Sequence, residues 1–405
     1  MSNNKIKTFF LIVAIMALLF EGVFVTAQYF KNGKDKLGAN TLEGYARMVI
    51  DKCENEGYRP ACYDREIPKL MDVISMEEAF EVAKLIQNSD DSYWYCHVLG
   101  HNLSARETAK DPSRWKDVVA RAPRGICSNG AIHGAFQERF REDVLSDEEI
   151  EALTPELNDI CERRDSWQAT GMEQATCYHA LGHLTMYITN ADIHKSVEIC
   201  DKVAVKDDGR SFGAVCYDGA FMQIFQPLEP EDFALIEGMQ PTDKSEHKDF
   251  CTQFSGEKKA SCWTEGWPLY FEEIRTPQGL SVFCNELPEG SYRERCYNGG
   301  FFVVTAQLRF ETDLIVDFCS EFIQHRRGQC FGNAAARMVE TDFRLMQKSV
   351  DLCNRAYNYG AGETCFEELV VYSTFNFEPG SEDFVNFCNL MPFEWKTKCL
   401  SRSDV

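Results

Sequence analysis

Several motifs that mark common enzyme classes are missing from this 405-residue chain. It has no glycine-rich phosphate loop, no HExxH zinc motif, no GxSxG nucleophile motif and no CxxCH haem-attachment site. A CxxC pair is also absent, so the chain lacks the usual dithiol redox centre. Function therefore has to be inferred from composition and from the spacing of residues.

Basic residues are scarce relative to acidic ones. The chain has 42 lysines and arginines against 64 aspartates and glutamates, which gives a net charge of -22 at pH 7. Such a surface repels phosphate backbones and offers no polybasic route to anionic lipid. We therefore exclude nucleic acid as a partner and expect membrane contact only through the N-terminal segment.

One strongly apolar segment lies at the N-terminus. Lys5 and Lys7 precede an apolar run from Phe9 to Phe20, and a small residue, Ala27, follows. These are features of a signal peptide. The stretch is also long enough to span a bilayer, so an uncleaved signal anchor is the alternative.

Both alternatives place the remaining chain outside the cytoplasm. We assign residues 1–28 to a signal peptide or signal anchor, residues 29–40 to a short linker and residues 41–405 to one disulfide-rich repeat domain. The expected location is extracytoplasmic: secreted, periplasmic or anchored to the outer face of a membrane by the N-terminal helix.

Of the 18 cysteines, those that open the predicted hairpins recur at a nearly constant interval of about 34 residues in the C-terminal half. Apolar residues follow Cys177 at steps of three and four, a polar turn begins at Thr189, and the helical period resumes at Ile193. This pattern is typical of a helical hairpin, and it starts again at Cys216. The sequence therefore predicts an all-α fold, a right-handed solenoid of stacked hairpins with a period of about 34 residues.

Most cysteines form local pairs. One cysteine ends the second helix of a hairpin, and another opens the next hairpin 9 to 16 residues later. Regular pairs of this kind favour an oxidising compartment over the alternative of free, buried cysteines in the cytosol. The two cysteines left over, Cys96 and Cys127, are expected to bond to each other. The eight predicted local disulfides are Cys53–Cys62, Cys161–Cys177, Cys200–Cys216, Cys251–Cys262, Cys284–Cys296, Cys319–Cys330, Cys353–Cys365 and Cys388–Cys399.

A cysteine at a helix end, a short loop, a second cysteine and then Leu-Gly, as at Leu99-Gly100 and Leu181-Gly182, form a recurrent pattern. This pattern resembles the tetratricopeptide class, and within it the cysteine-rich Sel-like repeat proteins of the Helicobacter type. The resemblance covers roughly residues 53 to 405. It implies a protein-interaction scaffold with a protein or peptide partner, and it does not name that partner.

An aromatic stripe marks one of the hairpins. Trp263, Trp267, Tyr270 and Phe271 fall at positions i, i+4, i+7 and i+8. On a helix they would share one face, where they could line a groove for a peptide or glycan. Core packing is the alternative, and Pro268 interrupts the helix at this point.

Five of the eight histidines lie in three consecutive first helices of the predicted hairpins. Two sets of them have i, i+4 spacing, with which two imidazoles on one helix can bind the same metal ion. The five histidines are His97, His101, His133, His179 and His183.

Stacking the repeats would place His101, His133 and His183 in one row. We predict that these three share a metal site, that the other two support it, and that Glu138 completes the shell or acts as a general base. Imidazole nitrogen favours zinc, copper, nickel or iron over calcium. A metal-dependent enzyme or metal-binding protein is therefore the alternative to the scaffold, and structurally packed histidines are the third possibility.

Overall fold

The computed structural model is helical throughout the part of the chain that it describes, with β-structure there limited to two isolated bridges. The predicted leader and linker, residues 1–28 and 29–40, lie outside the described residues. No helix in the described ranges is long and apolar enough to cross a membrane. The described residues are 41–140, 144–206, 209–228 and 230–404.

The chain divides into two compact units, the first ending at Trp94 and the second beginning at Tyr95. In the first unit Ser75 and Glu78 form a reciprocal capping box that fixes the start of a helix. Its described helices are α1 (Leu42–Cys53), α2 (Arg59–Glu66) and α3 (Met76–Gln87). The first and third carry apolar residues at helical spacing.

The second unit contains a row of inner helices and a second set of mostly shorter helices that pack behind them. The inner helices are α4 (His97–Lys110), α6 (Gly130–Phe140), α8 (Gly171–Ile188), α10 (Gly213–Phe225), α13 (Gly256–Glu265), α16 (Ser291–Gln307), α18 (Gln324–Thr341) and α20 (Gly362–Asn376). The others are α5 (Trp115–Arg121), α7 (Asp147–Ile160), α9 (Ile193–Val203), α11 (Pro230–Leu235), α12 (Lys244–Cys251), α14 (Phe271–Ile274), α15 (Pro277–Asn285), α17 (Thr312–Ser320), α19 (Met346–Ala356), α21 (Glu382–Leu390) and α22 (Phe393–Leu400).

Nine disulfides join the helices, and they are the nine pairs that the cysteine spacing predicts. Eight of them close short segments, whereas Cys96–Cys127 spans 31 residues and ties the start of α4 to the turn before α6. No free cysteine is present in the described part of the chain. So many bonds indicate an oxidising, extracellular type of compartment.

Some helices begin earlier than the cysteine spacing predicts. The predicted first helix of the hairpin opens at Cys177, but α8 begins at Gly171. Thr170 and Glu173 form a buried capping box there, and this box adds almost two turns before the cysteine. Ser146 and Glu149 form another reciprocal capping box at the start of the acidic helix α7.

Glycines allow two pairs of inner helices to cross at backbone contact. A Cβ atom on Gly134 of α6 would lie only 2.1 Å from the His101 carbonyl oxygen of α4. Likewise, a Cβ atom on Gly219 of α10 would lie 1.9 Å from the His179 carbonyl oxygen of α8. Only glycine fits at such crossings, so these positions determine how closely the histidine-bearing helices approach.

Within the second unit the row of inner helices returns to its own beginning. Each inner helix packs against the next, from α4 to α20, and α20 also packs against α8. In addition, α18 contacts the turn at Cys127–Asn129, and the Phe343 amide just beyond it donates to the Gly125 carbonyl at 3.1 Å. The inner helices therefore surround a central space, and the histidines of α4, α6 and α8 face one another beside it.

Candidate metal centre

The five predicted histidines form one cluster. The His133 ring centroid lies 5.2 Å from His97, 5.0 Å from His101, 5.5 Å from His179 and 5.4 Å from His183. His133 is on α6, between the i, i+4 pairs of α4 and α8. The close crossing of α4 and α6 and the packing of α6 on α8 bring the rings together.

Each i, i+4 pair places two ring nitrogens at the separation that one metal ion requires. The Nε2 atoms of His97 and His101 are 3.1 Å apart, and those of His179 and His183 are 3.2 Å apart. Two nitrogens bound tetrahedrally at about 2.0–2.1 Å lie about 3.3–3.4 Å from each other. Both pairs therefore need only a small adjustment to chelate an ion.

Neighbouring acceptors fix the orientation of two of the rings. His97 Nδ1 lies 3.2 Å from the Cys127 carbonyl oxygen, which can only accept, so this nitrogen carries the proton. His183 Nδ1 lies 2.7 Å from the side-chain oxygen of Gln223. Because the Gln223 amide nitrogen donates to Asp232 at 2.6 Å, its oxygen must face the histidine. In both rings the Nε2 lone pair therefore faces the Nε2 atom of the other histidine of the same pair.

The environment keeps these imidazoles neutral. Burial lowers the pKa of His97 to about 4. Burial, reinforced by repulsion from the other imidazoles, holds the pKa of His101, His133 and His179 well below the usual range. Burial also lowers the pKa of His183. Neutral imidazole is the form that binds metal, so the cluster has this form at pH 7.

A buried network of side chains lies behind the cluster. Asp232 accepts hydrogen bonds from the Tyr187 hydroxyl and from Gln223, which contacts His183. The Gln137 amide in turn donates to the Tyr187 hydroxyl at 3.2 Å and bonds to His101. One carboxylate thus connects to both histidine pairs through glutamines. Hydrogen bonds of this kind orient metal-binding imidazoles in known metal sites.

Sequence patterns do not indicate this network. Asp232 lies in the short helix α11, which none of the predicted hairpins includes, and it is 6% exposed. Gln137 and Gln223 lie inside inner helices, where glutamine is a common residue with no motif value. Their positions four residues after His133 and 40 after His183 become meaningful only once the helices are assembled.

The structure groups the histidines differently from the predicted row. The ligand atoms of His97, His101 and His133 lie within 4.8 Å of one another, so His97 joins this triad in place of His183. The imidazole of His183 is directed towards Gln223 and pairs with His179 instead. The i, i+4 relation on a single helix is thus a stronger constraint than the register between repeats.

Glu138, the predicted carboxylate ligand, is half-buried and lines neither of the cavities beside the histidines. It follows His133 by five residues, which rotates it by roughly 140° around the helix.

A cavity of about 30 Å³ lies against His97, His101, His133 and His183. That volume holds about one water molecule, or one ion.

The predicted aromatic stripe does not lie on one helical face. The helix α13 ends at Glu265, and a short 3₁₀ turn carries Trp267 and Tyr270. Trp263 is buried and donates its ring N–H to the Phe283 carbonyl at 2.9 Å, while Trp267 lines a large cavity. Phe271 begins α14, and its ring centroid lies 6.1 Å from that of Trp267. A groove for a peptide or glycan at these residues stays a prediction.

Comparisons with known protein families, with characterised proteins and with solved structures find no match to this chain.

Proposed function

We propose that the second unit is a metal-binding module whose histidine cluster holds a transition-metal ion. The observation that carries this proposal is the pair of Nε2–Nε2 separations, 3.1 Å in α4 and 3.2 Å in α8, with His133 between them. The ligands are all nitrogen, so zinc, copper, nickel or iron fits the site and calcium or magnesium does not.

The triad of His97, His101 and His133 is the proposed primary site, because three ligand atoms there lie within 4.8 Å of one another. Three protein ligands leave at least one position of a tetrahedral ion open, as in catalytic rather than structural zinc sites. Such an ion can bind water or a small molecule at the open position. The His179–His183 pair offers a second place for an ion.

The remaining hypotheses stay predictions. They include the right-handed solenoid with a period near 34 residues, the kinship with Sel-like repeats and the interaction scaffold with its protein or peptide partner. We also propose export through the N-terminal segment to a secreted, periplasmic or membrane-anchored location. The nine disulfides support that proposal, since they require an oxidising compartment during folding.

Metal analysis of protein exported to an oxidising compartment, without a polyhistidine tag, tests the proposal. The wild type should retain about one equivalent of a transition metal, or about two if the second pair fills. His133→Ala should remove the ion of the triad, and His183→Ala should remove only an ion at the second pair, while helicity by circular dichroism stays the same. His325→Ala, which removes an exposed histidine from α18, is the matched control and should retain the wild-type metal content.

The opposite result would identify the cluster as structural packing. In that case the wild type would take up no metal, and His133→Ala would lose helicity because a buried side chain packed against four other rings had been removed.

A further inference from the structure

A second, larger cavity of about 360 Å³ lies among the inner helices, and His97, His133 and His179 form part of its wall. Small-molecule sites in proteins have volumes of about 300–1,000 Å³. At about 30 Å³ per water molecule, this cavity holds roughly a dozen waters. It therefore suits a ligand with a similar number of non-hydrogen atoms, placed within reach of the proposed metal.

The wall away from the histidines is mainly apolar and aromatic. Trp267, Phe302 and Phe375 line it together with Met172 and Met222, and all five are only half-buried because part of their surface faces the cavity. Flat aromatic side chains favour a flat, apolar partner, since rings stack or meet edge to face. This wall fits the body of an aromatic molecule.

The acidic groups of the cavity are already neutralised. Asp218 accepts from Arg295, and both oxygens of Glu340 accept from Arg337. Burial and the nearby Asp218 raise the pKa of Glu265 well above its usual range, so that carboxyl group carries a proton. These three are the acidic residues among the described residues that line the cavity. None of them is left to balance additional positive charge.

The positive charge beside this wall would come from the proposed metal ion. Arg295 and Arg337 add no net charge, because they are paired with Asp218 and Glu340. An ion bound only by neutral imidazoles keeps its full charge. A negatively charged oxygen of a ligand in the cavity would therefore be attracted to the ion.

We propose that this cavity binds a small aromatic oxyanion, with its negatively charged oxygen towards His97, His133 and His179 and its ring against Trp267 and Phe302. This inference rests on the proposed function, because the metal ion supplies most of the attraction for the oxyanion. It deepens that function by naming the chemical class of the ligand.

The test compares benzoate, benzamide and acetate as ligands of the cobalt(II)-loaded protein. Cobalt content is measured first, and each ligand is then titrated by calorimetry and by the visible absorption bands of the metal. Benzoate should saturate and shift the bands. Benzamide, which lacks the charge, and acetate, which lacks the ring, should bind at least about tenfold more weakly because each loses one of the two interactions.

Ala175→Phe fills the cavity from α8 and provides a second test. It should abolish benzoate binding while cobalt content and helicity stay at the wild-type level. Ala152→Phe, the same change at an exposed position of α7, should behave as the wild type.

Absence of saturable benzoate binding to cobalt-loaded wild type would overturn the inference and leave the metal site standing. Equal affinity for benzoate and benzamide, or unchanged benzoate binding in Ala175→Phe, would overturn it as well. Absence of cobalt uptake would instead overturn the proposed function, and this inference with it.

Discussion

Replacing Gly134 with alanine tests how far the metal site depends on the close crossing of α4 and α6. The new Cβ atom would lie 2.1 Å from the His101 carbonyl oxygen and 2.5 Å from Ser104 Oγ. Ordinary van der Waals contact begins at 3.4 Å. The two helices would therefore have to separate by roughly 1.3 Å, since a packed backbone atom has no free space to move into.

Two opposing terms set the effect on stability. Alanine in a helix interior is favoured over glycine by about 1 kcal/mol. Overpacking a core costs about 1–3 kcal/mol, and a clash with backbone lies at the upper end of that range because no rotamer change relieves it. The cost of the clash exceeds the gain in helix propensity, so we expect Gly134→Ala to lower the free energy of unfolding by about 1–2 kcal/mol.

The effect on metal binding should be larger than the effect on stability. Ligand distances in metal sites hold within about 0.2 Å. A separation of roughly 1.3 Å between α4 and α6 moves His97 and His101 away from His133 by several times that tolerance. Changes that only disturb the hydrogen bonds behind a ligand cost about 10–100-fold in affinity, so displacing the ligands should cost about 100-fold or more.

Cobalt titration, with the visible spectrum as the signal and a chelator as competitor, measures this loss. Urea unfolding and circular dichroism on the same samples measure stability and helicity. Gly57→Ala is the control, because a Cβ atom at Gly57 would have no neighbour within 4 Å. If Gly134→Ala bound cobalt as tightly as Gly57→Ala, the metal site would not depend on the helix crossing and the reasoning would be wrong.

Two further predictions concern single carboxylates. Asp232→Asn should weaken cobalt binding by about 10–100-fold without loss of helicity, because it changes the hydrogen bonds that orient the histidines. The control Asp317→Asn, at an exposed position, should leave cobalt binding unchanged. Equal cobalt affinities of the two variants in a chelator competition would refute this role of Asp232. Burial raises the pKa of Asp64 to about 6, against an ordinary value of 3.8. Between pH 3.8 and about pH 6 the folded state holds a proton that the unfolded state releases. The free energy of unfolding therefore falls as the pH rises through this range. Asp64→Asn keeps an acceptor for the Tyr93 hydroxyl and should raise the free energy of unfolding by up to about 3 kcal/mol at pH 7, but not at pH 4. Urea unfolding at both pH values measures this difference in the free energy of unfolding. The control is Asp51→Asn, a change at an exposed position, which should have the wild-type stability at both pH values.

The helices and the disulfides could be predicted because their signals are local. For the first helix, α1 (Leu42–Cys53), apolar periodicity and the Thr41 cap are both encoded within about a dozen residues. Two cysteines 9 to 16 residues apart have few other partners within reach, so the local disulfides could be predicted. The bond between the two remaining cysteines, Cys96 and Cys127, could then be predicted by elimination.

The rest could not be predicted because it depends on contacts between distant segments. Contact between α20 (Gly362–Asn376) and α8 (Gly171–Ile188), which closes the inner row, has no periodic signature in the sequence. The aromatic stripe fails as a single face because a helix pattern was extended across Gly266 and Pro268, where the helix ends. The histidine cluster was found because two i, i+4 pairs are visible locally, whereas Asp232 is not.

Five clustered imidazoles, of which His101 and His133 are buried, are a poor way to pack helices unless they bind something. Apolar side chains of similar size would fill the same space, and each buried polar atom left without a partner costs about 1–3 kcal/mol. His97 and His183 hydrogen-bond through Nδ1, which turns their Nε2 lone pairs towards the Nε2 atoms of His101 and His179. When no ion is bound, the Nε2–H of a neutral His101 or His179 can donate to the Nε2 lone pair opposite, so each pair forms one hydrogen bond without taking up charge. A metal ion would replace that proton and bind both lone pairs at once. Five polar rings at one helix crossing are more than packing requires, so the cluster fits the proposed metal-binding role, and metal uptake by the wild type decides between the two.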